Sequence, residues 1–193
     1  MPEPVVRLHL VAPAEPAAEV IQCFEAACEL GDVASLLAVP ELIPGLFASA
    51  RQHDVALLTT EAEAARSLGC DGLEVASRQD YDLARTILGY NRIVGGRCGS
   101  SRHLAMELAD AGADYIAFSQ ADERPGAEPI IAWWSELFEV PCIAADPVEP
   151  SGLAALLAQR PDFIRPTDRM WRSADDSRSI IAATMRAIAD WSS

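Results

Sequence analysis

Glu61 and Asp80 each follow a short apolar run, the first after Val55–Thr59 and the second after Leu73–Val75. Brought side by side on neighbouring strands, the two carboxylates would offer oxygen ligands to Mg²⁺. That ion takes one or two carboxylates and fills its remaining positions with water and substrate phosphate. The plainer reading makes each a first-turn acid that favours its own helix N-terminus. The most glycine-dense stretch, Gly95-Gly96-Arg97-Cys98-Gly99-Ser100-Ser101, leads from a strand into a helix. Its N–H groups are expected to cradle an anion with Arg97 beside them, or to form a plain turn with Ser101 as N-cap. Cys98 reads as a small buried thiol more readily than as a nucleophile, because no His adjoins it. His9, His53 and His103 have no carboxylate or thiol at motif spacing and read as structural.

The cations that could serve such a site are all of one kind. The chain has 193 residues, 15 basic side chains that are all Arg, and 29 Asp plus Glu, for a formal charge of -14. Without lysine there is no Schiff base and no ammonium clamp, so an anion must be held by Arg, by backbone N–H groups or by a metal. An acidic surface repels nucleic acid and anionic lipid alike. Five scattered cysteines without CxxC spacing make neither a disulfide framework nor a zinc site. No stretch approaches the roughly 20 apolar residues of a membrane span, and no secretory signal is evident, so the cytoplasm is the expected compartment.

The elements that must position these groups alternate in type. Apolar runs expected as strands are Val5–Val11, Val33–Val39, Val55–Thr59, Leu73–Val75, Ile93–Gly95, Tyr115–Phe118, Cys142–Ala144 and Phe163–Arg165. Amphipathic runs rich in Ala and Leu lie between and after them, the last at Asp175–Trp191. The strands are apolar throughout instead of alternating, which means burial on both faces, as in a parallel sheet covered by helices. An Asp recurs where a helix ends and a strand begins, at Asp32, Asp71, Asp114 and Asp162. That spacing of two βα units, and the total of eight, predict a short single-domain (β/α)₈ TIM barrel over residues 1–193. A doubly wound sheet is the alternative. In a barrel, the residues that follow each strand meet at one mouth. They include Thr60, Glu61, Arg78, Asp80, Arg97, Ser119, Gln120, Arg124 and Asp146. Trp133 and Trp134 differ by about 100° around their helix, so one ring is expected to be left for a helix flank or a subunit interface.

Three stretches carry a resemblance: Gly69-Cys70-Asp71-Gly72-Leu73-Glu74-Val75, Ile93-Val94-Gly95-Gly96, and Ala111-Gly112-Ala113-Asp114-Tyr115-Ile116-Ala117-Phe118. They resemble the thiamine phosphate synthase and TenI family, whose comparable stretches read ADGVHLGQ, IIGVS and GADYIGFG. The likeness extends from Leu8 to about Arg165. It implies a (β/α)₈ barrel, commonly a homodimer, that joins an aminopyrimidine diphosphate to a thiazole phosphate with Mg²⁺ and releases pyrophosphate. Its Asn-Asp pair after the third strand falls on Thr60 and Glu61. Its next metal-binding Asp falls on Gln79, or on Asp80 with one residue inserted. Its Ser after the fifth strand becomes Arg97, and the start of its long loop after the sixth becomes Ser119-Gln120.

The departures concern phosphate. The family's QxRxK pattern is replaced by apolar residues near Leu37–Pro40, its PTxTK loop by Glu123-Arg124-Pro125-Gly126-Ala127, and its GGI turn by Ala145-Asp146-Pro147. Arg97, Arg78 and Arg124 are the cations available to replace part of that charge. The expectation is therefore a thiamine phosphate synthase-like transferase in which Glu61 and Asp80 hold Mg²⁺. Arg97 and Arg124 serve the reacting phosphates, and Thr60, Arg78, Ser119, Gln120 and Asp146 line the substrate. A TenI-like thiazole tautomerase and a non-catalytic barrel that binds a ligand or partner are the other readings of the same resemblance.

Overall fold

A computed structural model describes residues 6–14, 16–121, 123 and 126–191. Val5, expected to open the first strand, and Arg124 lie outside the described residues. Eight parallel strands close into a barrel in sequence order. They are β1 (Arg7–Val11), β2 (Val33–Leu37), β3 (Ala56–Thr59), β4 (Gly72–Val75), β5 (Ile93–Gly99), β6 (Ile116–Phe118), β7 (Cys142–Val148) and β8 (Phe163–Pro166). The ring shuts where Arg7 and Leu8 pair with Phe163 and Ile164. The helices are α1 (Ala17–Leu30), α2 (Ile43–Gln52), α3 (Ala62–Leu68), α4 (Arg78–Leu88), α5 (Arg102–Asp110), α6 (Ile130–Leu137), α7 (Leu153–Leu157) and α8 (Ala174–Trp191). Among the described residues no helix is long and apolar enough to cross a membrane.

Alternation along each strand divides the core in two. Leu8, Leu10, Leu36, Leu57, Leu73, Val94, Ile116, Phe118 and Ile164 pack outward beneath the helices. Leu37, Leu58, Tyr115, Ala117 and Ile143 fill the lumen with Val11, Ile93, Ala145 and Phe163. Most strand residues therefore meet either a helix or the lumen, which is why the strands are largely apolar.

The recurring aspartates fasten one end of this barrel. Asp71, ahead of β4, accepts the N–H of Leu57 on β3 at 2.8 Å. Asp114, ahead of β6, accepts that of Val94 on β5 at 2.7 Å, and Asp162, ahead of β8, that of Cys142 on β7 at 2.8 Å. Asp32, ahead of β2, pairs instead with the Arg7 side chain of β1.

The glycine-dense segment corrects an expectation. It is not a loop: β5 runs through Gly99 and pairs with β6. The N–H of Gly96 is spent on the Tyr115 carbonyl and that of Ser101 on the Cys98 carbonyl, so these two amides are not offered to an anion. Neighbouring side chains fill the space its glycines leave. A Cβ on Gly95 would fall 2.0 Å from Cζ of Tyr115, and one on Gly96 2.5 Å from Leu108. Ser101 then caps α5 by accepting the N–H of Leu104 at 3.2 Å.

Candidate functional site

The C-terminal ends of β3, β4 and β5 frame a cleft of about 450 Å³ lined by Thr60, Glu61, Glu74, Asp80 and Arg97 against an apolar wall of Leu73, Val75, Leu83 and Ile87. That volume lies within the usual range for small-molecule sites. Glu61 stands at the N-cap of α3 with no side-chain bond to the helix, so its carboxylate is open to the cleft. Asp80 is partly committed. Its Oδ2 accepts the Ser77 hydroxyl at 2.6 Å while its own N–H donates to Ser77 Oγ at 3.1 Å, a reciprocal cap on α4. The plain reading of Asp80 as a helix-capping acid thus holds, with one carboxylate oxygen left over. Among the described residues no three His, Cys, Asp or Glu side chains come together as a metal site. A cation held here draws at most on this carboxylate pair and takes the rest of its shell from water or a ligand, the sparse ligation that suits a hard oxygen-seeking ion.

Arg97 reaches over the cleft with its side chain 62% exposed, and its Nε lies 3.5 Å from Oε1 of Glu74, whose side chain is only 4% exposed. Tyr115 donates its hydroxyl to Oε2 of the same carboxyl at 3.3 Å. Burial pushes the Glu74 carboxyl above the usual carboxylate range, against the opposing pull of Arg97, the Tyr115 hydroxyl and Arg165. Burial and the neighbouring Glu74 also hold the Tyr115 phenol well above its ordinary value, so it stays a donor. Deeper in the lumen the His9 ring shares a hydrogen bond with Ser35 Oγ at 2.8 Å. Desolvation, with Arg165 nearby, lowers its pKa to about 4.

Not every expected residue joins the cleft. Arg78 is paired with Asp82 one turn along α4 at 2.9 Å and is not among the residues lining it. Ser119, Gln120 and Asp146 gather at β6 and β7. Asp146 accepts the Ser119 hydroxyl at 2.6 Å and the Gln120 N–H at 2.7 Å, and Gln120 Nε2 donates to Gln159 Oε1 at 2.8 Å. Gln120 and Asp146 line a separate cleft of about 230 Å³ that extends toward α6 and α7. Both oxygens of Asp146 are thus used in tying two strand ends together. Cys98 is buried, and desolvation with Glu74 nearby raises its thiol to about 12, so it is a packing group. Trp134 is fully buried and stacks on Phe138, while Trp133 carries the Arg102 guanidinium on its face.

Glu74, Tyr115 and Arg165 escaped the sequence reading, which took only residues beyond strand ends as candidates. The available signal was a carboxyl inside the otherwise apolar Gly72–Val75 run. A buried acid in a parallel strand needs a partner and so a reason.

The family described as thiamine monophosphate synthase matches residues 38–164. A thiamine-phosphate synthase of Rhodospirillum centenum is 33% identical over 186 residues, covering 86% of this chain and 89% of the relative. One from Erythrobacter litoralis is 33% identical over 148 residues, covering 71% and 68%. Among solved structures, a thiamine phosphate pyrophosphorylase from Pyrococcus furiosus superposes with a TM-score of 0.79 at 16% identity, covering 97% of this chain and 98% of that one. At that identity the likeness speaks for the barrel alone.

Proposed function

The chain belongs to the thiamine monophosphate synthase family, and from that premise we propose that it joins an aminopyrimidine diphosphate to a thiazole phosphate with release of pyrophosphate. The observation that carries the proposal is the cleft where Glu61, Asp80 and Arg97, remote in sequence, meet above an apolar wall. In this chemistry the bond from the pyrimidine methyl carbon to the diphosphate oxygen breaks first. The thiazole nitrogen then attacks the resulting cation, and stabilising the leaving charge is the main task of the site. Arg97 would meet a phosphate oxygen with a guanidinium N–H. Glu61 and Asp80 would hold Mg²⁺, which when bound supplies charge neutralisation at the diphosphate. Thr60 offers a hydroxyl at the same rim. Arg124 remains the proposed second cation, and Ser119, Gln120 and Asp146 the proposed wall toward the second substrate.

The proposal takes residues 1–193 as a single domain, acting on small phosphorylated heterocycles as a homodimer in the cytoplasm, with neither nucleic acid nor membrane as partner. Incubating the purified chain with aminopyrimidine diphosphate, thiazole phosphate and Mg²⁺ should yield thiamine phosphate and pyrophosphate in equal amounts. Glu61→Ala should slow turnover on the order of a hundredfold, as loss of a few kcal/mol of transition-state stabilisation does. No thiamine phosphate from the unaltered chain would remove the proposal.

A further inference from the structure

The barrel is also open at the end away from the cleft. A cavity of about 310 Å³ enters the lumen there, between the starts of β2, β3, β5 and β8. Its apolar walls include Leu58, Ile143 and Phe163, and the space is left by Ala34, Ser35 and Ala56, whose side chains are too small to fill it. An apolar cavity of roughly 150 Å³ already takes a benzene ring. Arg7 and Asp114 stand at the rim, each nearly half exposed and each held in an ion pair. Tyr115 turns its hydroxyl away to Glu74. The Ser35 hydroxyl is left as the polar group of the interior. It shares a hydrogen bond with His9 and, with either tautomer of the ring, keeps capacity for one more.

The same end of the molecule carries a projecting ring. Tyr90 lies in the turn from α4 to β5, and its 82% exposure exceeds that of every other large apolar side chain among the described residues. The ring is held in place. It sits over the Arg85 guanidinium, 5.3 Å from ring centre to Cζ. That guanidinium is itself buried and donates to the carbonyls of Gly89, Arg92 and Gly112 and to the Asp114 carboxylate. An aromatic side chain fixed in this way loses little freedom when it is covered.

We infer that this end of the barrel is an interface between two copies of the chain, in which Tyr90 of each copy enters the lumen cavity of the other. A half-turn about an axis midway between a knob and a hole on one face seats both at once, so the pair closes a dimer and leaves neither feature free. Tyr suits the cavity, with an apolar body for the walls and a hydroxyl for Ser35, and it is among the residues that anchor interface centres. Charge points to a second copy as well. At a formal charge of -14, two copies repel over most of their surface. Around this cavity, however, Arg7 pairs with Asp32, Arg51 with Asp71 and Arg85 with Asp114. Signs therefore alternate along the rim, and an Arg of one copy can meet an Asp of the other. Glu61, Asp80 and Arg97 lie at the opposite end and stay open to solvent in such a dimer. The inference gives the proposed homodimer its surface and does not depend on the transfer reaction.

Sedimentation velocity over a concentration series reads the association directly, on the unaltered chain, Tyr90→Ser and Ala56→Phe. The unaltered chain should be a dimer. Tyr90→Ser removes the knob and should raise the dimer Kd by about 30-fold or more, the effect of truncating an interface anchor, with the unfolding midpoint unchanged. Ala56→Phe fills the hole from within and should weaken the dimer alike. Mixed in equal amounts, the two variants should associate more tightly than either does alone, because Tyr90 of the Ala56→Phe chain finds the empty cavity of the Tyr90→Ser chain. A dimer untouched by Tyr90→Ser associates through another face and overturns this surface while leaving the homodimer standing. A chain that is monomeric throughout overturns both. Weakened variants that gain nothing on mixing overturn the reciprocal insertion, and if Ala56→Phe does not fold, Tyr90→Ser decides alone.

Discussion

Inside the lumen, burial decides which groups carry charge. His9 is 1% exposed, and its pKa of about 4 means that the folded chain keeps a neutral imidazole where the unfolded chain takes up a proton near pH 6.5. The sign follows from linkage: a depressed folded pKa gives a contribution that is complete above the unfolded value and lost as pH falls through the folded one. Glu74 acts in the reverse sense, since its raised pKa gives a contribution present at low pH and lost as pH rises through it. Urea unfolding of the unaltered chain and of His9→Gln, which retains a partner for Ser35, should therefore diverge between pH 7 and pH 4. The unaltered chain should lose roughly 3 kcal/mol more, most of the worth of the shift. Parallel pH profiles in the two chains would show that His9 is protonated in the folded state.

Among the elements, the aspartates that repeat every second strand are fasteners, and they differ in strength. Asp71, Asp114 and Asp162 each accept a backbone N–H from the preceding strand, whereas Asp32 makes an ion pair in which both side chains are 43% exposed. Charged hydrogen bonds to strand N–H groups are worth about 1.5–3 kcal/mol, and exposed pairs about 0–1. Asp162→Ala should accordingly destabilise the chain by about 2 kcal/mol and Asp32→Ala by less than about 1, measured as shifts in denaturant midpoint at constant slope. Equal losses would mean that the strand N–H finds water when its carboxylate is removed. The same scale explains the β5 correction. Glycines weaken a strand by local preference, but in a closed sheet Gly95 pairs with β4 and Gly96 with both β4 and β6, and the two are covered by Tyr115 and Leu108. Tertiary packing overrides the turn signal that Gly95, Gly96, Gly99, Ser100 and Ser101 send.

For the whole molecule, closure joins the first strand to the last, and α8 covers the seam by packing along α1, with Ser177 donating to the Cys23 carbonyl at 2.7 Å. Neither end can leave without opening the ring, so calorimetry should record one cooperative transition whose van't Hoff and calorimetric enthalpies agree. Two resolved transitions would instead divide the barrel into separately folding parts. The order of eight strands and eight helices was legible from the chain because each element repeats a local pattern: a short run buried on both faces, then an amphipathic run. That Glu61, Asp80 and Arg97 line one cleft was legible too, since a barrel sends every strand end to one mouth. The sequence could not show that Asp146 spends both oxygens on Ser119 and Gln120, or that Glu74 rests on Tyr115. Those outcomes depend on which way a side chain points and on the space its neighbours leave. That is set by contacts between residues as far apart as 41 positions, which no local pattern records.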